Sequence, residues 1–489
     1  MTSTTPGTNA PENGPLHPAD STSDLYYLAR APLWRALAHL CLPMIAAVSV
    51  SAVYNIINAG FIGSLHSTPL LTAITLGLPV LPLMMAIGGV FGVGGSTMVS
   101  RVMGARDSGS AHDPELITRI VGFTIWGAIA AGVVLGALCL VLLNPLVHLL
   151  GADAAAFTPT AQYVGVTLAF FPVLTLAFAL EQLVRAEGAA RASMIGMIAS
   201  VAGNLVFDVL FILVLHGGVL GAAVAIGLSN LIAVAYYLWF LRTKSSNPIS
   251  LSPRWFSLRP AIVKEVFGVG ASELLMSSFL IVTSLLLNNL AVHYGDAVLA
   301  AFGVSLRIVQ VPEFVVMGIA LGVMPLVAYC FGAGNSARLR ATIRRSLLAI
   351  GGITVVFSGL VFLFRDEVFD LFSTDPAVLR VGGLILMAQL ISTIFNGVTG
   401  LLITVFQDTA KMRAATIMSV AQGVLFIPVV LLGNLWFGLL GIVWAMTATE
   451  LLTFLIALVL YRIERPTAAE ATATSRGAAA DALVPPAAP

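Results

Sequence analysis

Asn204 and Asp208 are two polar residues, four positions apart, inside a long apolar segment. On a helix this spacing places both side chains on one face. The segment, residues 192–215, is long enough to cross a bilayer, where an ionised aspartate is costly unless it faces a polar cavity or a partner. The pair therefore predicts a working site inside a membrane, most simply a proton or cation site of the kind that transporters use.

The composition supports this membrane interpretation. Of the 489 residues, 58% are hydrophobic and 10% are charged, and the mean hydropathy is +0.98. In soluble domains about a quarter of the residues are charged, so the chain is expected to be an all-α integral membrane protein. The net charge of +1, without a basic stripe, argues against a nucleic-acid partner. The three cysteines lie in apolar segments and are expected to be packing residues.

Twelve segments are long enough to span the membrane, which takes about 20 apolar residues. They are residues 37–62, 70–99, 119–143, 161–184, 192–215, 219–241, 264–293, 298–330, 345–364, 378–407, 413–433 and 438–462. The loops between them show a strong charge bias. One side carries only Arg365 and Arg380, and Arg307 lies within a helix, so the other 21 of the 24 Lys and Arg residues fall on the side that holds both termini. The positive-inside rule predicts a multi-pass protein of the inner (cytoplasmic) cell membrane with both termini in the cytoplasm.

The chain also resembles itself at an offset of about 228 residues. Gly94, Gly104 and Ser108 match Gly322, Gly332 and Ser336. Since each half has six helices, the halves should share one topology and form two six-helix lobes related by a pseudo-twofold axis along the membrane normal, with the transport path between them. The predicted lobes are residues 25–241 and 264–462. They are joined by a cytoplasmic loop, 242–263, and flanked by disordered cytoplasmic tails, 1–24 and 463–489.

Several ordered motifs resemble the MATE (multidrug and toxic compound extrusion) transporters over about residues 35–460. These are YNIINAGFIG at 54–63, GVGGS at 92–96, SRVMGA at 100–105, RAEG at 185–188, NLVFD at 204–208 and PLVAY with FGAGN at 325–335. The resemblance implies a V-shaped antiporter without a cofactor. It would export amphipathic organic cations or drugs in exchange for H⁺ or Na⁺ by alternating access, and it is expected to be a monomer in the lipid bilayer.

In that family, coupling is often assigned to an Asp on helix 1 and an Asn/Asp pair on helix 5, which correspond here to Asn58 and to Asn204 with Asp208. Asn58 cannot titrate. Glu181 lies where many relatives have Asn, so one hypothesis is that the missing carboxylate has moved to helix 4. Two acids in one cavity would favour uptake of a proton near neutral pH. Alternatively, Glu181 pairs with Arg185 one turn away. Asp208 and Asn204 could also hold Na⁺; no other metal site is expected.

The substrate cavity has weaker candidates. Apolar cations bind to aromatic and methionine surfaces near an acid. The candidates for the cavity on the predicted helices are the aromatic, methionine and acidic residues Tyr54, Met317, Glu273 and Glu313, together with the polar residue Gln182. Glu273 could instead pair with Lys264 or Arg254, and Glu313 could form a structural ion pair. Asp408, in the QDTAK segment at 407–411, is predicted to be solvated.

Two other functions compete with the antiporter. A lipid-linked saccharide flippase of the same superfold would need a basic cavity for pyrophosphate, and Arg307 is the only deep basic residue. A membrane enzyme that binds metal diphosphate would need clustered acids. The two D-x-x-x-D matches, at 20–24 and 366–370, lie outside the predicted spans, and no H-E-x-x-H or C-x-x-C motif occurs, so the chain is not expected to be an enzyme.

Overall fold

The computed structural model describes residues 23–63, 68–109, 115–245, 252–370 and 376–465, and these residues form helices and no strands. The tails that were predicted to be disordered lie largely outside the described residues. In the first half the helices are α1 (Asp24–Ala29), α2 (Leu33–Gly63), α3 (Thr68–Gly77), α4 (Val80–Asp107), α5 (Leu116–Val141), α6 (Leu143–Leu149), α7 (Phe157–Ala169), α8 (Phe171–Ala186), α9 (Ala190–Asp208) and α10 (Gly218–Thr243).

The second half repeats this pattern of long helices. A short 3₁₀ turn, Pro253–Trp255, lies between the halves. It is followed by α11 (Pro260–Val292), α12 (Asp296–Gly332), α13 (Ser336–Leu363), α14 (Arg365–Asp370), α15 (Pro376–Asp408), α16 (Met412–Phe437) and α17 (Leu439–Ile463).

Among the described residues, eleven helical segments are long and apolar enough to cross a membrane, and the bent pair α7–α8 makes a twelfth. The prediction of a twelve-span, all-α protein is thus confirmed. The fourth span differs from the single predicted helix because α7 and α8 meet at 49°. Pro172 lies in the first turn of α8, where it cannot donate a hydrogen bond to the preceding helix, so the backbone ladder is interrupted there.

Helix packing in the two halves is equivalent. In the first half, α4 packs on α5 and α8, and α9 packs on α2 and α10. In the second half, α12 packs on α13 and α15, and α16 packs on α11 and α17. The halves meet through α2 with α12, α4 with α11, and α4 with α12. The internal sequence repeat therefore corresponds to a repeat in helix packing.

Close approach between the halves depends on glycine. A Cβ at Gly104 would collide with the carbonyl oxygen of Tyr329, and a Cβ at Gly332 would collide with that of Arg101. The two contacts are reciprocal, because each glycine meets the backbone of the opposite half. They lie at the ends of α4 and α12 that lead into Arg106 and Arg338, and we call this end of the molecule the Arg-rich side.

Substitution of Gly332 by alanine should disrupt this contact. Because a backbone carbonyl rather than a flexible side chain stands in the way, the halves must shift apart, and we expect a loss of about 1–3 kcal/mol in the free energy of unfolding. Thermal unfolding in detergent would measure it. Gly303→Ala on the same helix is the matched control, because open space surrounds that position. Equal melting temperatures for the two variants would contradict the packing argument.

A short helix that was not predicted covers the Arg-rich side. Leu28 of α1 is fully buried, and the ring of Tyr27 stacks on His39 with centroids 3.7 Å apart. From the second half, Arg338 donates to the carbonyl oxygens of Ala31 and Tyr27 at 2.8 and 3.1 Å. Since Leu28 also packs beside Gly188, this segment contacts both halves at once.

Candidate functional site

Asp208 lies where the geometry of its helix changes. The α-helix α9 ends at this residue, and the chain continues as a π-helical turn, Val209–Val214. Single π turns within α-helices occur often at functional sites, since they displace side chains from the regular register. Asp208 is 2% exposed and Asn204 is 5% exposed, so both predicted polar residues are held inside the protein.

Four side chains form a hydrogen-bonded chain here; Asn204, Asp208 and Ser229 are buried, and Tyr54 is partly buried. The Tyr54 hydroxyl of α2 hydrogen-bonds to Asn204 Oδ1 and lies 3.1 Å from Asp208 Oδ2. The amide nitrogen of Asn204 donates to Ser229 Oγ of α10 at 3.1 Å. Ser229 in turn donates to the carbonyl oxygen of Ile226 at 2.9 Å. We call Tyr54, Asn204, Asp208 and Ser229 the polar network; it joins three helices of the first half.

The direction of these hydrogen bonds limits what the network can do. Because the Ser229 hydroxyl hydrogen is used on Ile226, Ser229 can only accept from the Asn204 amide, which turns the Asn204 oxygen toward Tyr54. Tyr54 has one hydroxyl hydrogen for two acceptors. A proton on Asp208 would complete the chain: Asp208 donates to Tyr54, Tyr54 to Asn204, and Asn204 to Ser229. The network can therefore accommodate one proton with every group satisfied.

Asn58 and Glu181 do not belong to this chain. Asn58 lies on α2 one turn beyond Tyr54 and is partly exposed. Glu181 accepts a hydrogen bond from Arg185 Nη1 at 2.8 Å, in an ion pair whose two side chains are 14% and 3% exposed. Of the two alternatives for Glu181, the contacts match pairing with Arg185.

The remaining cavity candidates lie apart from one another. Gln182 is buried, and its side chain packs against Gly92. Among the described residues, Glu273 forms no ion pair with Lys264 or Arg254, and its carboxylate lies near the side chain of Gln407. The Gln407 amide nitrogen donates to Ser272 Oγ at 3.0 Å.

A second group of acids lies in the second half. Glu450 accepts a hydrogen bond from the Gln422 amide at 3.1 Å and interacts electrostatically with Glu313. Glu313 is partly exposed, and Met317, one turn along α12, is 52% exposed. Arg307 is exposed on the same helix. A cation in contact with this face of α12 would meet carboxylates and a methionine surface.

Comparison with known proteins identifies the family. A family model described as MatE matches residues 43–210 and 271–432. The chain belongs to the MatE family. This confirms the predicted family membership, and the chain is a multi-pass membrane transporter rather than an enzyme.

Relatives and solved structures of the family agree with this assignment. The chain is 35% identical over 441 residues to the multidrug export protein MepA of Staphylococcus aureus (strain NCTC 8325 / PS 47), covering 90% of this chain and 96% of MepA. It is 33% identical over 440 residues to MepA of Staphylococcus haemolyticus (strain JCSC1435), with the same coverage. A MOP superfamily transporter from Pyrococcus furiosus has the same fold, with a TM-score of 0.82 at 21% identity, covering 93% of this chain and 99% of that one.

The sequence-based prediction for Asp408 was wrong. It was expected to be solvated in a turn, but it is fully buried. Helix α15 continues to Asp408 itself, so this carboxylate lies among packed helices and interacts electrostatically with Arg101 of the other half. A turn motif describes the local chain and gives no information about a neighbour some 300 residues away in sequence.

Ser229 of this MatE protein was missed, although the sequence contained a signal for it. A loop centred between His216 and Gly217 joins α9 to α10, so these helices are antiparallel neighbours. Asn204 and Ser229 are equally far from the centre of that loop and must lie at the same depth. A polar residue in an apolar helix, opposite a polar residue of its hairpin partner, predicts a hydrogen bond between the two.

Proposed function

We propose that this transporter exports amphipathic organic cations in exchange for protons by alternating access, with Asp208 as the proton carrier. The observation that carries the proposal is the buried polar network, whose hydrogen bonds are completed by one proton. Tyr54 hydrogen-bonds to the carboxylate, and Asn204 and Ser229 continue the chain behind Tyr54. They come from three helices, so that gain or loss of the proton changes contacts between elements that can move relative to each other.

The proton is favoured over Na⁺ by the way the oxygens of the network are used. The Asn204 oxygen accepts from Tyr54, and the Ser229 oxygen accepts from Asn204. A sodium ion would need several oxygens converging on one point, whereas the oxygens of the network follow one another along a chain of hydrogen bonds. A proton fits that chain, since it adds one donor at its end.

Drug-like cations as substrates follow from two further observations. The relatives from the two staphylococci are multidrug export proteins, and they align with nearly the whole chain. The group formed by Glu313, Glu450 and the exposed Met317 combines negative charge with a polarisable apolar surface, which suits an amphipathic cation. The charge bias of the loops further supports a cytoplasmic location for the Arg-rich side and for both termini.

The decisive experiment uses the purified protein in liposomes. Export of a fluorescent organic cation is followed under a pH gradient and, separately, under a Na⁺ gradient, with the membrane potential clamped. We expect the pH gradient alone to drive export. Export driven only by Na⁺ would overturn proton coupling. If neither gradient drives export, the lipid-linked saccharide flippase becomes the better proposal, and the exposed Arg307 would be its starting point.

The variant Glu181→Gln tests whether Glu181 serves as an ion-pair partner of Arg185 or as a proton carrier. We propose that Glu181 holds Arg185, so the variant should keep pH-driven export but melt at a lower temperature, because a buried guanidinium loses its partner. Glu115→Gln is the matched control, since Glu115 forms an exposed pair with Arg119 at the same spacing and should contribute less than about 1 kcal/mol. A folded Glu181→Gln protein without coupling would show instead that Glu181 carries a proton.

A further inference from the structure

Asp408 is a buried acid that the polar network does not use. It ends α15 and is fully buried, and neither of its carboxylate oxygens has a hydrogen-bond partner among the described residues. An ionised carboxylate in such a place loses its hydration without gaining hydrogen bonds in return, which is a costly arrangement in a protein. A proton removes most of that cost by removing the charge.

The neighbouring charges leave the acid incompletely balanced. Arg101 of α4 interacts electrostatically with Asp408, but it forms an ion pair with Glu265 of α11 and donates through Nε to the carbonyl oxygen of Thr97 at 3.2 Å. One buried cation therefore serves two carboxylates. Further charged residues close to this cluster are Lys411, in the turn that follows Asp408, and Glu273, whose carboxylate lies near Gln407.

The cluster lies where the two halves close on each other. Arg101 belongs to the first half, and both of its acidic partners belong to the second. The carbonyl oxygen of the same Arg101 lies against Gly332, in the reciprocal contact of the Arg-rich side. Separation of the halves on this side would draw Arg101 away and admit water to Asp408.

We propose that Asp408 is a second proton-binding site, distinct from the polar network, which is occupied while the Arg-rich side is closed and is vacated when that side opens. The closed state buries the carboxylate and binds the proton more tightly, and the open state hydrates the carboxylate and binds the proton less tightly. By linkage, loss of the proton favours the open state. The inference extends the proposed proton coupling. Its test reads conformation rather than export, so the two proposals can fail separately.

The experiment measures the separation of the halves as a function of pH. Spin labels are placed at Ser108 and Ala337, which are exposed on opposite halves of the Arg-rich side, in a protein whose three cysteines have been replaced. Asp208→Asn is included to silence the polar network. Between about pH 5 and 9 we expect the ratio of long to short label distances to rise with pH, by up to about tenfold for each pH unit when one proton is released.

Asp408→Asn should remove this response and hold the short distance at every pH, because the amide resembles the protonated acid. Glu115→Gln, which neutralises an exposed acid in the same set of loops, should leave the response unchanged. A full pH response in Asp408→Asn would overturn the proposal. If that variant fails to fold, infrared difference spectra of the Asp208→Asn protein decide: the carbonyl band of a protonated carboxylic acid should disappear as the Arg-rich side opens, and its persistence would be contrary to the proposal.

Discussion

Asp208→Asn is expected to abolish export driven by a pH gradient, to the level of empty liposomes, while the protein stays folded. Asparagine has the same shape and can still hydrogen-bond to Tyr54, so the polar network keeps its packing. It cannot release or take up a proton, so the polar network no longer links binding of substrate to binding of a proton. The effect should be complete rather than partial, because the described hydrogen bonds place no second carboxylate within this network.

The measurement pairs two assays on one preparation. Uptake of the fluorescent cation against a pH gradient should be lost, whereas exchange of labelled for unlabelled substrate, which needs no net proton movement, should persist. Asp153→Asn is the matched control; that residue is exposed in a loop, where it caps the backbone of Ala156. Substantial pH-driven export by Asp208→Asn would refute the role given to this carboxylate.

Tyr54→Phe should have the second largest effect. Removal of one hydroxyl leaves both the Asn204 oxygen and the Asp208 carboxylate without their shared donor inside the protein. A lost hydrogen bond to a charged group is worth about 1.5–3 kcal/mol, so turnover should fall by roughly tenfold or more. The apparent affinity for substrate should change little, since the hydroxyl is engaged by the network.

The control for Tyr54→Phe is the buried residue Tyr237. Tyr237 donates to the carbonyl oxygen of Ser193 at 3.0 Å. Tyr237→Phe removes a hydroxyl of the same kind from a hydrogen bond outside the network. It should lower the melting temperature and leave the pH profile of export unchanged, whereas Tyr54→Phe should displace that profile. Identical profiles for both variants would show that Tyr54 has a packing role only.

The sequence alone predicted correctly those features that depend on a single helix. The four-residue spacing of Asn204 and Asp208 placed them on one face, and long apolar segments gave the twelve spans. It was insufficient where partners come from distant helices. Tyr54 had been assigned to a substrate cavity, because no local pattern shows which residue of α2 faces α9.

Asp408 and α1 are two further places where tertiary contacts decide the structure. Asp408 was expected to be solvated, and α1 was not expected to form. Asp408 is polar within a loop-like motif, yet tertiary packing buries it completely, at a position where Arg101 of the other half acts on it electrostatically. Helix α1 follows a low-complexity tail and is only six residues long, so its own propensity could not indicate a helix. It is stabilised by hydrogen bonds with Arg338 and His39, and Arg338 comes close to this helix only when the protein folds.

The reciprocal glycine contacts have a consequence for the origin of this chain. Gly104 docks on the backbone at Tyr329, and its counterpart Gly332 docks on the backbone at Arg101, the counterpart of Tyr329. Each half thus contributes one glycine and one backbone carbonyl to the interface, and the interface is self-complementary. A gene encoding a single half would give subunits able to dimerise through this same surface. Fusion of two such genes would then need only a linker. Separately expressed halves of the present chain should still associate.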